Sequence, residues 1–151
     1  MFHWEGVEML DKEKLDTITK LFYDSFTNKE GLKPNVNGLY KLFIPEGIVI
    51  KNTGSTPEIY NLEQFIAPRE KLLNEGTLTD FEEEEVSDRT EIFGNIAHRF
   101  SHYRKSGVLS GISFETHGMK TIQFIKTYDS WKISSIAWDD EREGLHIPKG
   151  F

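Results

Sequence analysis

The final third of the chain alternates with a period of two. From Leu78 onward, apolar and polar residues take turns, and the segments Thr121–Thr127 and Lys132–Trp138 are rich in β-branched and aromatic side chains. Such segments, separated only by short turns, must pair with one another as a sheet. The stretch from Asn95 to Arg104 also carries Ile96, Phe100 and Tyr103 at helical spacing. Its neighbours favour a strand, because Gly94-Asn95 and Ser106-Gly107 are turn-forming pairs on either side.

The first half reads differently. Leu15, Ile18, Phe22, Ser25 and Phe26 recur at spacings of three and four, which predicts a helix from about Asp11 to Asn28 with Asp11 as its N-cap and Gly31 as its stop. A shorter helix is expected from Asn35 through Leu39, Leu42 and Phe43, ended by Pro45. Gly47–Asn52 reads as a short strand. Asn61 followed by Gln64 has the form of a capping box ahead of Phe65, Ile66, Leu72 and Leu73, with Gly76 closing that helix and Pro68 kinking it or marking its start. The expected order is helix, helix, strand, helix and then four strands, an arrangement in which a sheet curves over helices and encloses a pocket.

Composition removes several classes of function. A chain of 151 residues fits one domain. It has no cysteine, which excludes disulfides, thiolate nucleophiles and cysteine-ligated zinc. A net charge of −7 repels phosphate backbones and anionic lipid, so neither nucleic acid nor membrane is an expected partner. No apolar run approaches a membrane span, and the opening residues Met1–Glu8 lack the cationic start of a leader. A cytoplasmic protein is the expectation.

Local wording then carries a resemblance. Leu42-Phe43-x-Pro45-Glu46-Gly47, Ile96-Ala97-His98-x-Phe100-Ser101-x-Tyr103, Ser110-Gly111-Ile112, Ile122-Gln123-Phe124 and Trp131-Lys132-Ile133-Ser134-Ser135-Ile136-Ala137-Trp138 resemble small bacterial members of the nuclear transport factor 2-like superfamily. That superfamily includes ketosteroid isomerase, scytalone dehydratase and the SnoaL-like cyclases. The resemblance implies an α+β, cystatin-like cone: a curved mixed or antiparallel sheet wrapped on three N-terminal helices, as a single domain over residues 1–151 with its core at about 11–142. Its motifs specify packing rather than chemistry, since the superfamily hosts enzymes and non-enzymes alike.

Ketosteroid isomerase sets a sharp test, because its chemistry needs a carboxylate base with a tyrosine and a protonated Asp as oxyanion donors. The resemblance places the tyrosine at Phe22, the base at Asn52 or Lys51 and the oxyanion Asp at Gln123. All three positions differ from the isomerase: Phe22 cannot donate a hydrogen bond and Asn52 cannot take a proton near neutral pH, although Tyr23 stands one residue from the first. Proton transfer of that kind is therefore not expected.

The isomerase strand pattern implies that Ala97, Arg99, Ser101 and Tyr103 face inward with Thr121, Gln123, Ser134, Ile136 and Trp138. Ile96, His98, Phe100, His102, Ile122 and Phe124 would then face out. Asp140 shares the face of Trp138 and reaches toward the mouth. Arg99 either holds a ligand carboxylate through its fork or pairs with the neighbouring run Glu82–Glu85. Gln123 either orients a ligand or bridges strands. Trp131 and Trp138 read as core and pocket wall.

His98 and His102 sit at the spacing of a helical zinc motif, but on a strand they stand about 13 Å apart, too far for one ion. The acidic runs Glu82–Glu85 and Asp139–Glu143 read as solvated edges that discourage strand aggregation. No metal or cofactor is expected. The reading that follows is a homodimer binding a small apolar or aromatic ligand with a polar handle, with Phe22, Tyr23, Asn52, Arg99, Ser101, Tyr103, Gln123, Ile136, Trp138 and Asp140 as pocket candidates and no catalytic residue assigned. Its alternatives are a SnoaL-like cyclase, dehydratase or epoxide hydrolase working by acid–base chemistry, and a pure interaction domain with a filled cone.

Overall fold

The computed structural model describes residues 2–128 and 130–151, with side chains from Leu10 onward; the side chains of the opening residues, read above for a leader, lie outside the described residues. Helix α1 spans Phe2–Asp24, a 3-10 helix spans Val36–Lys41, and α2 spans Leu62–Asn74. The strands are β1 (Phe43–Lys51), β2 (Glu58–Asn61), β3 (Leu78–Phe93), β4 (Ile96–Leu109), β5 (Ile112–Thr127) and β6 (Ser130–Asp140). They form one open sheet in the order β2-β1-β6-β5-β4-β3, in which only β1 and β6 run parallel.

The periodicity of α1 buries Leu15, Phe22 and Tyr23 against the sheet, and Phe26 in the turn after it joins them. Each large apolar side chain so buried is worth about 1.5–3 kcal/mol, and this stripe is what fixes the helix on the strands. Asp11 is not the expected cap. It lies inside the longer helix, buried, and accepts a hydrogen bond from the Trp131 indole at 3.0 Å and an ion pair from Lys126 at 3.4 Å. The helix ends at Asp24, seven residues before Gly31. Asn28 then ties the chain down: its side-chain amide donates to the Leu73 and Leu78 carbonyls at 3.0 and 2.8 Å, and its oxygen accepts from the Phe81 amide at 2.8 Å. One residue therefore joins the exits of both helices to the start of β3.

Two local readings need correcting. The expected helix from Asn35 is only the 3-10 segment, and Phe43 and Pro45 already belong to β1, where the register shifts between Phe43 and Ile48. Proline is tolerated there because an irregular strand end asks for no ladder donor. The short strand β2 escaped notice because its four residues carry no alternation to read. Ser106-Gly107 is likewise no turn: it sits within β4, and the turn falls at Ser110-Gly111, where both residues have positive φ.

The capping box stands as read. The Gln64 amide donates to Asn61 Oδ1 at 2.8 Å, and the Asn61 amide donates to Gln64 Oε1 at 2.9 Å. Pro68 lies inside α2 on its exposed side, and Gly76 follows the helix end with φ +83°. Ile122, Phe124, Ile133 and Ile136 line the concave face of the sheet beneath the helices.

Candidate functional site

Strand β4 presents Ala97, Arg99, Ser101 and Tyr103 to the interior, all nearly or fully buried. Its neighbour β5 differs from the sequence reading by one residue. Lys120, Ile122 and Phe124 face inward, whereas Gln123 is exposed on the outer face and Thr121 shares that side. Register explains this: Arg99 pairs with Ile122 and Ser101 with Lys120, and paired residues share a face. On β6 a bulge between the pairs Gln123–Ser135 and Phe124–Ile133 leaves Ser134 out of step. Its hydroxyl bonds the Gln123 carbonyl at 3.2 Å on the outer side, while Ile136 and Trp138 point inward.

Strand β3 supplies the polar surprise. Its own bulge lies between Glu85 and Ser87, so Phe81, Glu83 and Glu85 face inward before it, and Asp88 and Thr90 after it. The run Glu82–Glu85 is thus not a solvated edge as a whole. Glu83 is 7% exposed and pairs at 2.8 Å with the ammonium of Lys120, which is 3% exposed. Aromatic rings surround that ammonium: Tyr103 at 3.9 Å, Trp138 at 4.9 Å, Tyr23 at 5.5 Å and Phe22 at 6.0 Å. Burial pulls the Lys120 pKa down, and Glu83 only partly offsets this.

Tyr103 crosses β5 to reach β6. Its hydroxyl donates to the Asp140 carboxylate, which also pairs with Lys105 at 3.0 Å. The crossing needs a bare backbone at Gly118, because a Cβ there would lie 2.1 Å from the Tyr103 oxygen. Burial, and then the bond to Asp140, push the Tyr103 pKa far up, so it remains a donor.

Arg99 belongs to a separate network. Burial opposes its charge, yet its fork grips Glu85 through Nε at 2.9 Å and Nη2 at 2.5 Å, and Nη1 reaches Asp16 at 2.7 Å; these bonds raise its pKa above the usual arginine value. Ser101 donates to Glu85 at 2.6 Å and takes the Tyr23 hydroxyl at 2.7 Å. Tyr23, at the foot of α1, is therefore spent inside the structure. Its pKa stands well above the phenol range, through burial and then the nearby Glu83.

Glu83, Lys120, Lys105 and Asp140 border a cavity of about 460 Å³ between α2 and the strands. Phe26, Phe65, Leu72, Leu73, Phe81 and Phe114 supply its apolar walls, and Lys51, Arg69, Glu83, Lys105, Lys120 and Asp140 its charges. Of the candidates read from sequence, Phe22, Trp138 and Asp140 line this cavity. Tyr103, Ser101 and Ile136 are buried beneath it, Arg99 opens toward a different cleft, and Asn52 and Gln123 are exposed away from it. Lys51, not Asn52, takes the inward position at the end of β1.

The sequence reading missed Glu83, Lys120 and Arg69. Lys120 carries a legible signal, since it stands two residues before Ile122 on the same parity. Arg69 carries none, being one cation on a helix face. The histidines hold separate partners: His98 meets Glu91 at 2.8 Å, and His102 meets His117 at 2.9 Å on the outer face. Among the described residues no group of three or more His, Cys, Asp or Glu converges as a metal site, and no helix is long and apolar enough to cross a membrane.

The backbone of this helix-backed, open six-stranded sheet superposes on solved structures over most of its length. The chain has the nuclear transport factor 2-like, or cystatin-like, fold. A nuclear transport factor 2-like superfamily protein from Salmonella enterica matches with a TM-score of 0.71 at 14% identity, over 93% of this chain and 96% of that one. An uncharacterized protein with a cystatin-like fold from Caulobacter vibrioides matches with a TM-score of 0.68 at 12% identity, over 87% and 89%. The structure of LinA matches with a TM-score of 0.70 at 10% identity, over 93% and 95%. No protein-family model matches the chain, and no curated protein matches its sequence.

Proposed function

We propose that this chain binds a small apolar or aromatic molecule bearing a polar handle in the cavity between α2 and the sheet, working as a cytoplasmic homodimer. The supporting observation is the cavity of about 460 Å³ with aromatic and leucine walls and a few charged groups converging at its floor. Exposed Ile96 and Phe100 on the outer face of β4 support self-association. The test is a thermal-shift screen of small aromatic and aliphatic compounds, since a ligand selective for the folded state raises stability by mass action. Hits should lose their shift in Leu72→Trp, which fills the cavity. Size-exclusion chromatography with light scattering reads the dimer.

One observation favours a second reading, acid–base catalysis by a SnoaL-like enzyme. Glu83 lies in an apolar interior within reach of Lys120, beside the Tyr103 ring, which is the convergence such chemistry requires. Glu83 would accept a proton from carbon and Lys120 would stabilise the resulting oxyanion. Exchange of an aromatic ketone's α-protons in heavy water, abolished by Glu83→Gln, tests it; equal exchange in both proteins counts against it.

A further inference from the structure

The charge bordering the cavity is unbalanced. Lys51, Arg69, Lys105 and Lys120 face it against only Glu83 and Asp140, a local excess of two positive charges in a chain of net charge −7. Lys120 is matched by Glu83 and Lys105 by Asp140. Arg69 and Lys51 join no ion pair among the described residues.

Arg69 differs in this from the other interior guanidinium. Arg99 is enclosed by Glu85, Asp16 and Asp88, with nothing left for a ligand. Arg69 instead lies half-buried on aromatic faces, its Cζ 4.0 Å over Phe65, 5.4 Å over Tyr60 and 5.9 Å from the centre of Trp138, and it donates once to the Phe65 carbonyl at 3.1 Å. Stacking holds the plane of the guanidinium, whose edge meets the Phe65 carbonyl and the neutral Tyr60 hydroxyl but no carboxylate among the described residues, leaving donors for an anionic acceptor. Burial lowers its pKa, with Tyr60 and Glu58 partly restoring it, so its charge is desolvated without a carboxylate in contact. Lys51 is the ladder partner of Trp138, which places both cations around one indole. The Trp138 indole N–H is itself buried without an acceptor.

We infer that the cavity takes an apolar or aromatic carboxylic acid, with its carboxylate on the edge of Arg69, its charge reinforced by Lys51, and its hydrocarbon against Phe26, Leu72 and Phe114. This deepens the ligand-binding reading above and rests on it. The surrounding negative charge of the chain does not forbid it, because at physiological salt charges beyond about 8 Å are screened while the local cations are not.

The experiment is calorimetric titration at physiological salt with naphthaleneacetate, its amide and the matching naphthylethylamine, and with decanoate and decanamide. Charge-assisted bidentate bonds lost with the carboxylate should make each amide bind about tenfold or more weaker than its acid, and the amine weaker still. Arg69→Gln should weaken the acids by a larger factor than the amides and so close most of the gap between them, and Lys51→Gln should narrow the same gap. Amides binding as tightly as acids, or acids binding Arg69→Gln as well as the parent, would overturn the inference and leave the pocket reading standing. Should no probe of any charge bind the parent, the pocket reading fails and takes this one with it. If Arg69→Gln does not fold, Arg69→Lys keeps the charge without the fork, and full retention of acid affinity in that variant is equally fatal.

Discussion

Lys120 and Glu83 face each other at 2.8 Å across β4, each less than a tenth exposed, with the Tyr103 ring 3.9 Å from the ammonium. Both charges have left water, and each is tolerable only because the other is there. Removing one partner should therefore cost about 3–5 kcal/mol, whereas replacing both with apolar residues of similar size should cost far less. Urea denaturation of Lys120→Met, Glu83→Leu and the double variant checks this. Additive losses in the double variant would show that the pair is not coupled.

Gly118 is the gap through which Tyr103 reaches Asp140. Gly118→Ala places a methyl group 2.1 Å from the Tyr103 oxygen and 2.6 Å from the Asp139 carbonyl, and the second of these cannot swing aside. Displacement of a packed ring costs about 1–3 kcal/mol. Tyr103→Phe should cost less, about 1 kcal/mol, because Asp140 keeps Lys105 as a partner. If Gly118→Ala proved as stable as the parent in denaturant, the crossing would not be the reason for the glycine.

The contrast between these two sites shows what the sequence made legible. The isomerase strand pattern implied that Arg99, Ser101 and Tyr103 turn inward on β4, and the alternation runs unbroken there from Ala97 to Tyr103. The pattern failed on β6, where a bulge beside Ser134 resets the faces, and on β5, where its phase was one residue off, while on β3 the acidic run read as a solvated edge turns Glu83 and Glu85 inward. Bulges leave no signature in composition. Arg99 paired with the acidic run as one of its two readings required, but the acid it chose and the inward turn of Glu83 depend on cross-strand register. The fold class needed only periods and turn residues; the chemistry of the floor needed register to single residues.

The pair His102 and His117 predicts a pH dependence. Burial, and then His117, lower the His102 pKa from its ordinary 6.5, with Glu141 opposing. The unfolded chain thus binds more protons below 6.5 than the folded one does. Stability from this group is complete above pH 6.5 and is lost as pH falls through the depressed folded value. Melting temperature should fall on acidification from pH 7 toward 5, and His102→Gln should flatten that slope. An unchanged slope in the variant would assign it elsewhere.

Asp11 distinguishes an anchor from a cap. At an N-cap its removal would fray one helix end and leave Trp131 unaffected. In this structure its carboxylate receives the Trp131 indole N–H at 3.0 Å and Lys126 at 3.4 Å, linking α1 to β5 and β6 across more than a hundred residues of sequence. Asp11→Ala strands a buried indole donor, a loss of about 1–3 kcal/mol. Asp11→Asn retains an acceptor oxygen for the indole but no charge for Lys126, and should fall between. The emission of Trp131, read in a background with the other tryptophans replaced by phenylalanine, should change in Asp11→Ala while helix content by circular dichroism stays near that of the parent. A loss of helix content with unaltered emission would return Asp11 to the role of a cap.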